Sequence, residues 1–269
     1  DPMKTIFITS FHAHISRNIL LSPVLDILKL RKDMRIVILV PDYKVPYFDK
    51  TFGSDRVKIE GVHIYRASRT KRGLFFKKLS VFLFDTQTAR IRKKYEYYCT
   101  GKWFQFMVSM FLGFIGHSFF VRKIVRYIDL LFSPKDFFSP VLLKYKPDVI
   151  FYTDIQNEND VSLMQDARRI KVPILGMIRS WDNQTQRINR IYPDRLLVGS
   201  QMLFDEMISI CKYPAKNMTI TGNAHHDRYL NGPSIAKEEF FRKYNLDQHL
   251  PLILYAPVGD HLLRNNIVD

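Results

Sequence analysis

Two histidines, an aspartate and a tryptophan–aspartate–asparagine run are the side chains of this 269-residue sequence best suited to chemistry. His12 follows the apolar run 4–9 and stands just ahead of an amphipathic stretch. An imidazole there, titrating near neutrality, suits a general base that takes a proton from a hydroxyl. The plainer alternative is a loop histidine hydrogen-bonded to backbone. Ser10 and His14 flank it. Asp154 ends a second apolar run and reads as another acid/base, a hydroxyl ligand or a helix N-cap, the cap being favoured. Arg179-Ser180-Trp181-Asp182-Asn183 follows a third. An indole beside a carboxylate and an amide suits a sugar, because the ring stacks on its apolar face while the polar groups read hydroxyls. The same residues also suit a tight turn. Gly222, Asn223 and His226 close a fourth run, with Gly222 able to bring backbone close to a ligand. His225, His226 and Asp227 are adjacent and do not converge as metal ligands do, so no metal is expected.

The elements that must position these residues read as repeated strand-then-helix units. Strands are expected at 4–9, 35–40, 57–67, 148–152, 173–178, 195–198, 218–221 and 251–255. Helices are expected at 16–30, 159–170, 200–211 and 237–244, with Pro23 kinking the first or delaying its start. This alternation predicts an α/β fold: a doubly wound, Rossmann-like parallel sheet, whose ligands bind beyond the carboxyl ends of the strands. The short-listed residues all stand at such ends.

The stretch 66–146 differs from the rest. It holds 17 Lys and Arg against 4 Asp and Glu, most of the formal +15 of the chain, and 19 of its 37 Phe, Tyr and Trp. It reads as a basic, aromatic helical insertion, 68–140, with helices over 103–119 and 121–132 and a helical face through Leu79, Phe82, Leu83 and Thr86. Such a segment suits an anionic bilayer surface, through Lys71, Arg72, Phe75, Phe76, Lys77, Lys78, Arg92, Lys93 and Lys94. A solvated helix face is the plainer reading. The residues 103–121 come nearest to a membrane span, but Gln105, Ser109, Gly113, Gly116, His117 and Ser118 interrupt them, so lying in the interface or packing under a domain is expected. The exposed aromatics would be covered as readily by a second copy of the chain as by lipid.

A hydrophobic fraction of 46% with 25% charged residues fits a folded globular protein. Two distant cysteines exclude a disulfide framework. The run 4–9 is too short for a signal peptide, and Asp1-Pro2 ahead of Met3 reads as a cloning remnant. No G-x-G-x-x-G, P-loop or G-x-S-x-G stands at the required place, so no dinucleotide cofactor, ATP site or α/β-hydrolase elbow is expected. No nucleic-acid motif is present either.

Several stretches taken together resemble bacterial surface-carbohydrate glycosyltransferases of the GT-B type. They are Lys4 to His12 with Ile15-Ser16-Arg17-Asn18-Ile19-Leu20, then Arg179-Ser180-Trp181-Asp182-Asn183, then Met218 to Asn223 with Asp227-Arg228-Tyr229, and Leu252 to Pro257. UDP-GlcNAc 2-epimerases and CDP-glycerol glycerophosphotransferases are wider relatives of that group. The resemblance covers most of the chain except the insertion. It implies two α/β domains with the reaction between them, an N-terminal one binding acceptor and a C-terminal one binding a nucleotide-sugar donor. On that reading residues 3–232 form the acceptor-side domain, and 233–269 a linker helix and the first strand of a truncated donor domain.

The resemblance further implies transfer from a nucleotide-sugar to a glycan or lipid-linked acceptor, at the cytoplasmic face of the membrane and without cofactor. His12, Asp154 and Asp182 are then the catalytic candidates. Ser10, His14, Arg17, Asn18, Arg179, Ser180, Trp181, Asn183, Gly222, Asn223 and His226 are the substrate-binding ones. An epimerase acting on UDP-GlcNAc, and a non-enzymatic module for membrane or nucleic acid, remain the alternatives.

Overall fold

The computed structural model describes residues 3–12, 16–64, 70–180 and 183–255. His14, Trp181 and Asp182 lie outside the described residues, as do the side chains of Arg17 and Asn183. The chain divides into two compact units, 1–227 and 228–269.

The first unit is built on one sheet. Its strands are β1 (Lys4–Thr9), β2 (Met34–Pro41), β3 (Val57–Val62), β4 (Val149–Tyr152), β5 (Ile174–Met177), β6 (Arg195–Val198) and β7 (Met218–Ile220). They lie in the order β3-β2-β1-β4-β5-β6-β7, and every pairing is parallel. Parallel strands need a cover on both faces, and side chains alternate across the sheet. Accordingly Ile6, Ile8, Ile36 and Ile38 join one buried cluster, while Phe7, Val37 and Leu39 join another. The α/β, doubly wound class is thus realised, and all seven strand ends share one edge. The direction of winding reverses between β1 and β4, which opens a crevice at their carboxyl ends.

The helices correct several expectations. Residues 16–30 do not form one helix. Helix α1 (Pro23–Lys29) begins at Pro23, because the Ser22 hydroxyl accepts the Val24 amide and proline at the first position sacrifices no hydrogen bond. Helix α2 (Val45–Phe52) was not expected; Phe48 and Phe52, one turn apart, are its buried face. It packs where β3 carries Gly61, at which an added Cβ would meet a Val45 methyl at 2.8 Å and Asp42 Oδ1 at 2.9 Å. Strand β3 runs through Gly61 and ends at Val62.

The insertion folds as α3 (Lys71–Phe82), α4 (Gln87–Thr100), α5 (Trp103–Ile115) and α6 (Phe119–Phe132), followed by α7 (Ser139–Tyr145). Thr70, Thr86 and Ser118 cap α3, α4 and α6 by accepting the Gly73, Ala89 and Val121 amides. Thr86 therefore opens a new helix instead of extending the face of Leu79 and Phe82, and the charges at 90–94 lie inside α4. Two residues assigned to the membrane surface are buried. Phe76 is 6% exposed, and Lys93 donates to the carbonyls of Phe82, Phe84 and Ser109 at 2.8–2.9 Å.

The residues 103–121 are not one helix. Among the described residues no single helix is long and apolar enough to cross a membrane, and α5 and α6 bend by 111° at the break between them. The break falls at Gly116, where a Cβ would lie 1.8 Å from the Leu83 carbonyl oxygen. Gly116→Ala is expected to destabilise the protein by about 2–3 kcal/mol, since backbone must move to admit the methyl. Urea denaturation measures it, and an unchanged midpoint would contradict the packing.

Asp85 ties the insertion together by receiving Arg90 at 2.6 and 2.7 Å and His117 at 2.8 Å. The Arg90 hydrogen bonds hold its carboxyl at about 2, below the usual range. A depressed acid adds stability above the unfolded value near 4 and loses it as pH falls towards 2. After allowance for the exposed Arg90, about 1–2 kcal/mol is expected from this source. Asp85→Asn should lower stability at pH 7 and leave a shallower loss between pH 4 and 2, as read by thermal unfolding across that range.

Beyond β4, helices α8 (Glu158–Arg169) and α9 (Gln201–Ser209) cover the sheet. Asn157 caps α8, so Asp154 is not its N-cap. In the second unit α10 (Lys237–Lys243) forms as expected. Residues 251–255 carry no strand. A strand needs a neighbour for its backbone groups, and here Leu252, Ile253, Leu254 and Tyr255 are exposed.

Candidate active site at the carboxyl edge of the sheet

The β1/β4 crevice is floored by two threonines. Thr153 donates its hydroxyl to the Thr9 carbonyl at 2.7 Å and its amide to the Thr9 hydroxyl at 3.1 Å, locking the strand ends where they part. Ser10, also buried, donates its amide to Leu39 at 2.9 Å, which places it beneath the site and not at its surface as a substrate contact would require. His12 follows, half-buried. Asn18 lies half-buried in the next turn, Ser16–Leu20.

Across the crevice Asp154 is 3% exposed. Its Oδ1 accepts the Gln156 amide at 3.1 Å and its Oδ2 pairs with Arg179 at 3.0 Å. Burial raises its pKa, while Arg179, the Gln156 amide, Arg187 and His12 oppose the shift. His12 and Asp154 are thus electrostatic neighbours, with the Arg179 guanidinium between the end of β5 and the same carboxylate. Ser180 follows Arg179, and Asn183 opens the turn Asn183–Thr185. The carboxylate is engaged and shielded. Its two oxygens are occupied by the Gln156 amide and Arg179, which suits Asp154 to orienting that guanidinium.

Four residues of this edge were not singled out by sequence. Asp160, in the first turn of α8, is fully buried behind the crevice, and neither of its carboxyl oxygens makes a hydrogen bond of ordinary length. Burial drives its pKa well above the usual carboxylate range, with the Thr9 hydroxyl opposing. Glu158 is shared by Arg190 at 3.2 Å and by Lys77 and Arg187 at 3.8 Å each. Arg190 also clamps Asp129 with two bonds of 2.8 and 2.9 Å. The only sequence signal was the acidic series Asp154, Glu158, Asp160 across a strand end and helix start. Nothing local paired it with Arg187 and Arg190, some thirty residues on.

Two further groupings lie apart. Gly222, Asn223 and His226 follow β7, four strands from β1, or roughly 19 Å at the usual spacing. Gly222 has a φ of +73° and open space around it, as a glycine-specific turn requires. Asn223 lies against Gly199, where a Cβ would meet its Oδ1 at 2.5 Å. The structure therefore does not bring these residues to His12. Beyond β3, a cavity of about 300 Å³ is lined by His63, Phe137, Pro140 and Val141 above the Glu60–Lys144 ion pair.

No protein-family model and no curated protein matches this sequence. Solved structures do. The S. aureus MnaA–UDP complex is 14% identical at a TM-score of 0.48, over 90% of this chain and 50% of that one. A glycosyltransferase from Rickettsia africae is 9% identical at 0.47, over 92% and 51%. A UDP-N-acetylglucosamine 2-epimerase is 10% identical at 0.47, over 89% and 54%. The chain spans about half the length of these structures.

Proposed function

We propose that this chain is the acceptor-side half of a GT-B type glycosyltransferase, which transfers a sugar from a nucleotide-sugar to a glycan or lipid-linked acceptor. The observation that carries the reading is the buried Asp154–Arg179 ion pair of 3.0 Å at the carboxyl ends of β4 and β5, with His12 following β1 at the same edge. His12 takes the proton of the acceptor hydroxyl as its oxygen bonds to the sugar's anomeric carbon, and the bond to the nucleoside diphosphate breaks. Asp154 stabilises the imidazolium so formed and fixes Arg179. The resemblance of the β1 loop and of Arg179 to Asn183 to glycosyltransferases supports the same reading.

The test is incubation of full-length protein with UDP-sugars, with and without acceptor. Acceptor-dependent release of UDP supports transfer. Epimerisation of UDP-GlcNAc without acceptor would replace it with the epimerase reading.

The insertion is proposed to seat the protein on an anionic bilayer at the cytoplasmic face. Lys71, Arg72, Phe75, Lys78 and Lys94 are exposed, as are Trp103, Phe104, Phe111 and Phe114 on α5 and Phe120 on α6. Cationic side chains beside exposed aromatics match acidic headgroups over acyl chains. Flotation with vesicles containing phosphatidylglycerol should capture the protein and lose it at high salt. Equal recovery with neutral vesicles would argue against the charge-based part, and preferential shift of DNA would argue for nucleic acid.

A further inference from the structure

We propose that the insertion and the sheet edge together form a subsite for a diphosphate group, lined by Arg179, Arg187, Arg92 and Lys77. The inference deepens the proposed function and rests on it for its biological meaning. Lys77 and Arg92, expected at the membrane surface, instead reach Glu158 and Gln186. Lys77 Nζ and Arg187 Nη1 both stand 3.8 Å from the same Glu158 oxygen, too far for a close hydrogen-bonded ion pair. Arg92 reaches Gln186, beside Arg187, at 3.4 Å. Arg187 is the hub: its side chain is 31% exposed, it faces Glu158, and the charges of Asp154, Arg92 and Arg179 act on it as well.

The local charge does not balance among the described residues. Glu158 serves three cations, Asp129 is taken by Arg190, and Asp154 by Arg179. Like charges gathered at a partly dry edge favour an anion that accepts several donors at once. Guanidiniums match phosphate oxygens in pairs, and Lys77 adds a point charge. A diphosphate fits the spread better than a single phosphate, because the cations come from α3, α4 and two loops. The contacts Ile188 N to Ser80 O at 3.0 Å and Thr86 hydroxyl to Thr185 O at 2.5 Å hold those helices against the edge.

Such a group comes either from a nucleotide donor or from a lipid diphosphate acceptor, and calorimetric titration separates them. Inorganic pyrophosphate is titrated into the protein first, then UDP and farnesyl diphosphate, each with pyrophosphate as competitor. Pyrophosphate is expected to bind at least ten-fold more tightly than sulfate, and Arg187→Gln to weaken it ten-fold or more. Arg92→Gln and Lys77→Gln, at more exposed positions, should each weaken it several-fold and keep the protein measurable if Arg187→Gln unfolds. Lys50→Gln, exposed on α2 and outside the cluster, should change nothing. Tighter binding of UDP assigns the nucleotide as source, and tighter binding of farnesyl diphosphate the lipid. Pyrophosphate no tighter than sulfate, or indifferent to all three cluster variants, overturns the subsite. Protein that binds pyrophosphate here yet transfers no sugar keeps the subsite and removes the function proposed for it.

Discussion

His12→Ala in full-length protein is expected to lower kcat by roughly 10²–10⁴-fold, the usual worth of a positioned general base. KM for the acceptor should move little, because the imidazole acts on the proton in the transition state more than on bound substrate. Geometry sets the expectation. His12 stands at the end of β1, opposite Asp154, at the switch point where parallel sheets gather ligands. The pH profile carries an independent signature: the rate should rise with pH as the imidazole loses its proton, and this limb should vanish in the variant. Asp154→Asn should remove the negative charge facing His12, lower the imidazole pKa and shift the limb towards acid. Transfer at the wild-type rate by His12→Ala would move the base to another residue.

Lys93→Met should cost about 3–5 kcal/mol of stability. Its ammonium is the donor for three backbone carbonyls, two at the end of α3 and one in α5, and truncation leaves them buried without partners. For a chain of this size that is roughly 10 °C in melting temperature. Hydrogen exchange should show the loss in α4 and α5 first, because Lys93 joins them. Burial pushes its pKa down, with Asp85 opposing, so the site tolerates the charge only because the carbonyls converge on it. Arg cannot substitute: Gly113 lies so close that even a Cβ there would sit 2.8 Å from Nζ. A Lys93→Met protein that melts with wild type would show the three carbonyls to be satisfied otherwise. Because α3 and α4 also carry Lys77 and Arg92, this variant should weaken pyrophosphate as well.

The central strands were legible because they are mostly apolar runs, and parallel strands buried on both faces leave that mark locally, whereas β3 alternates with Lys58 and Glu60. Pro23 pointed to a delayed start of α1 as one of two outcomes, but Ser22 as its cap was not singled out. The edge that gathers the site followed from the strand-then-helix alternation alone, and with it the placing of His12, Asp154 and Arg179. Helix α2 escaped because eight residues holding Pro46 give too short a periodic signal. The fate of 251–255 escaped for a different reason: a run's composition says it can be a strand, and only a neighbour makes it one.

Charge was where sequence reasoning went furthest astray. The sequence fixes how many cations the insertion holds, but a lysine buried among carbonyls, one beside a distant glutamate and one in water are spelled alike. Lys93, Lys77 and Lys71 took these three positions because helix packing set the partners of each. The same packing brought Arg187 to Glu158 and buried Asp160 beneath Thr9. Those pairings join residues far apart in the chain, and their electrostatics depend on distance and solvent access, which exist only once the sheet and the insertion have closed on each other.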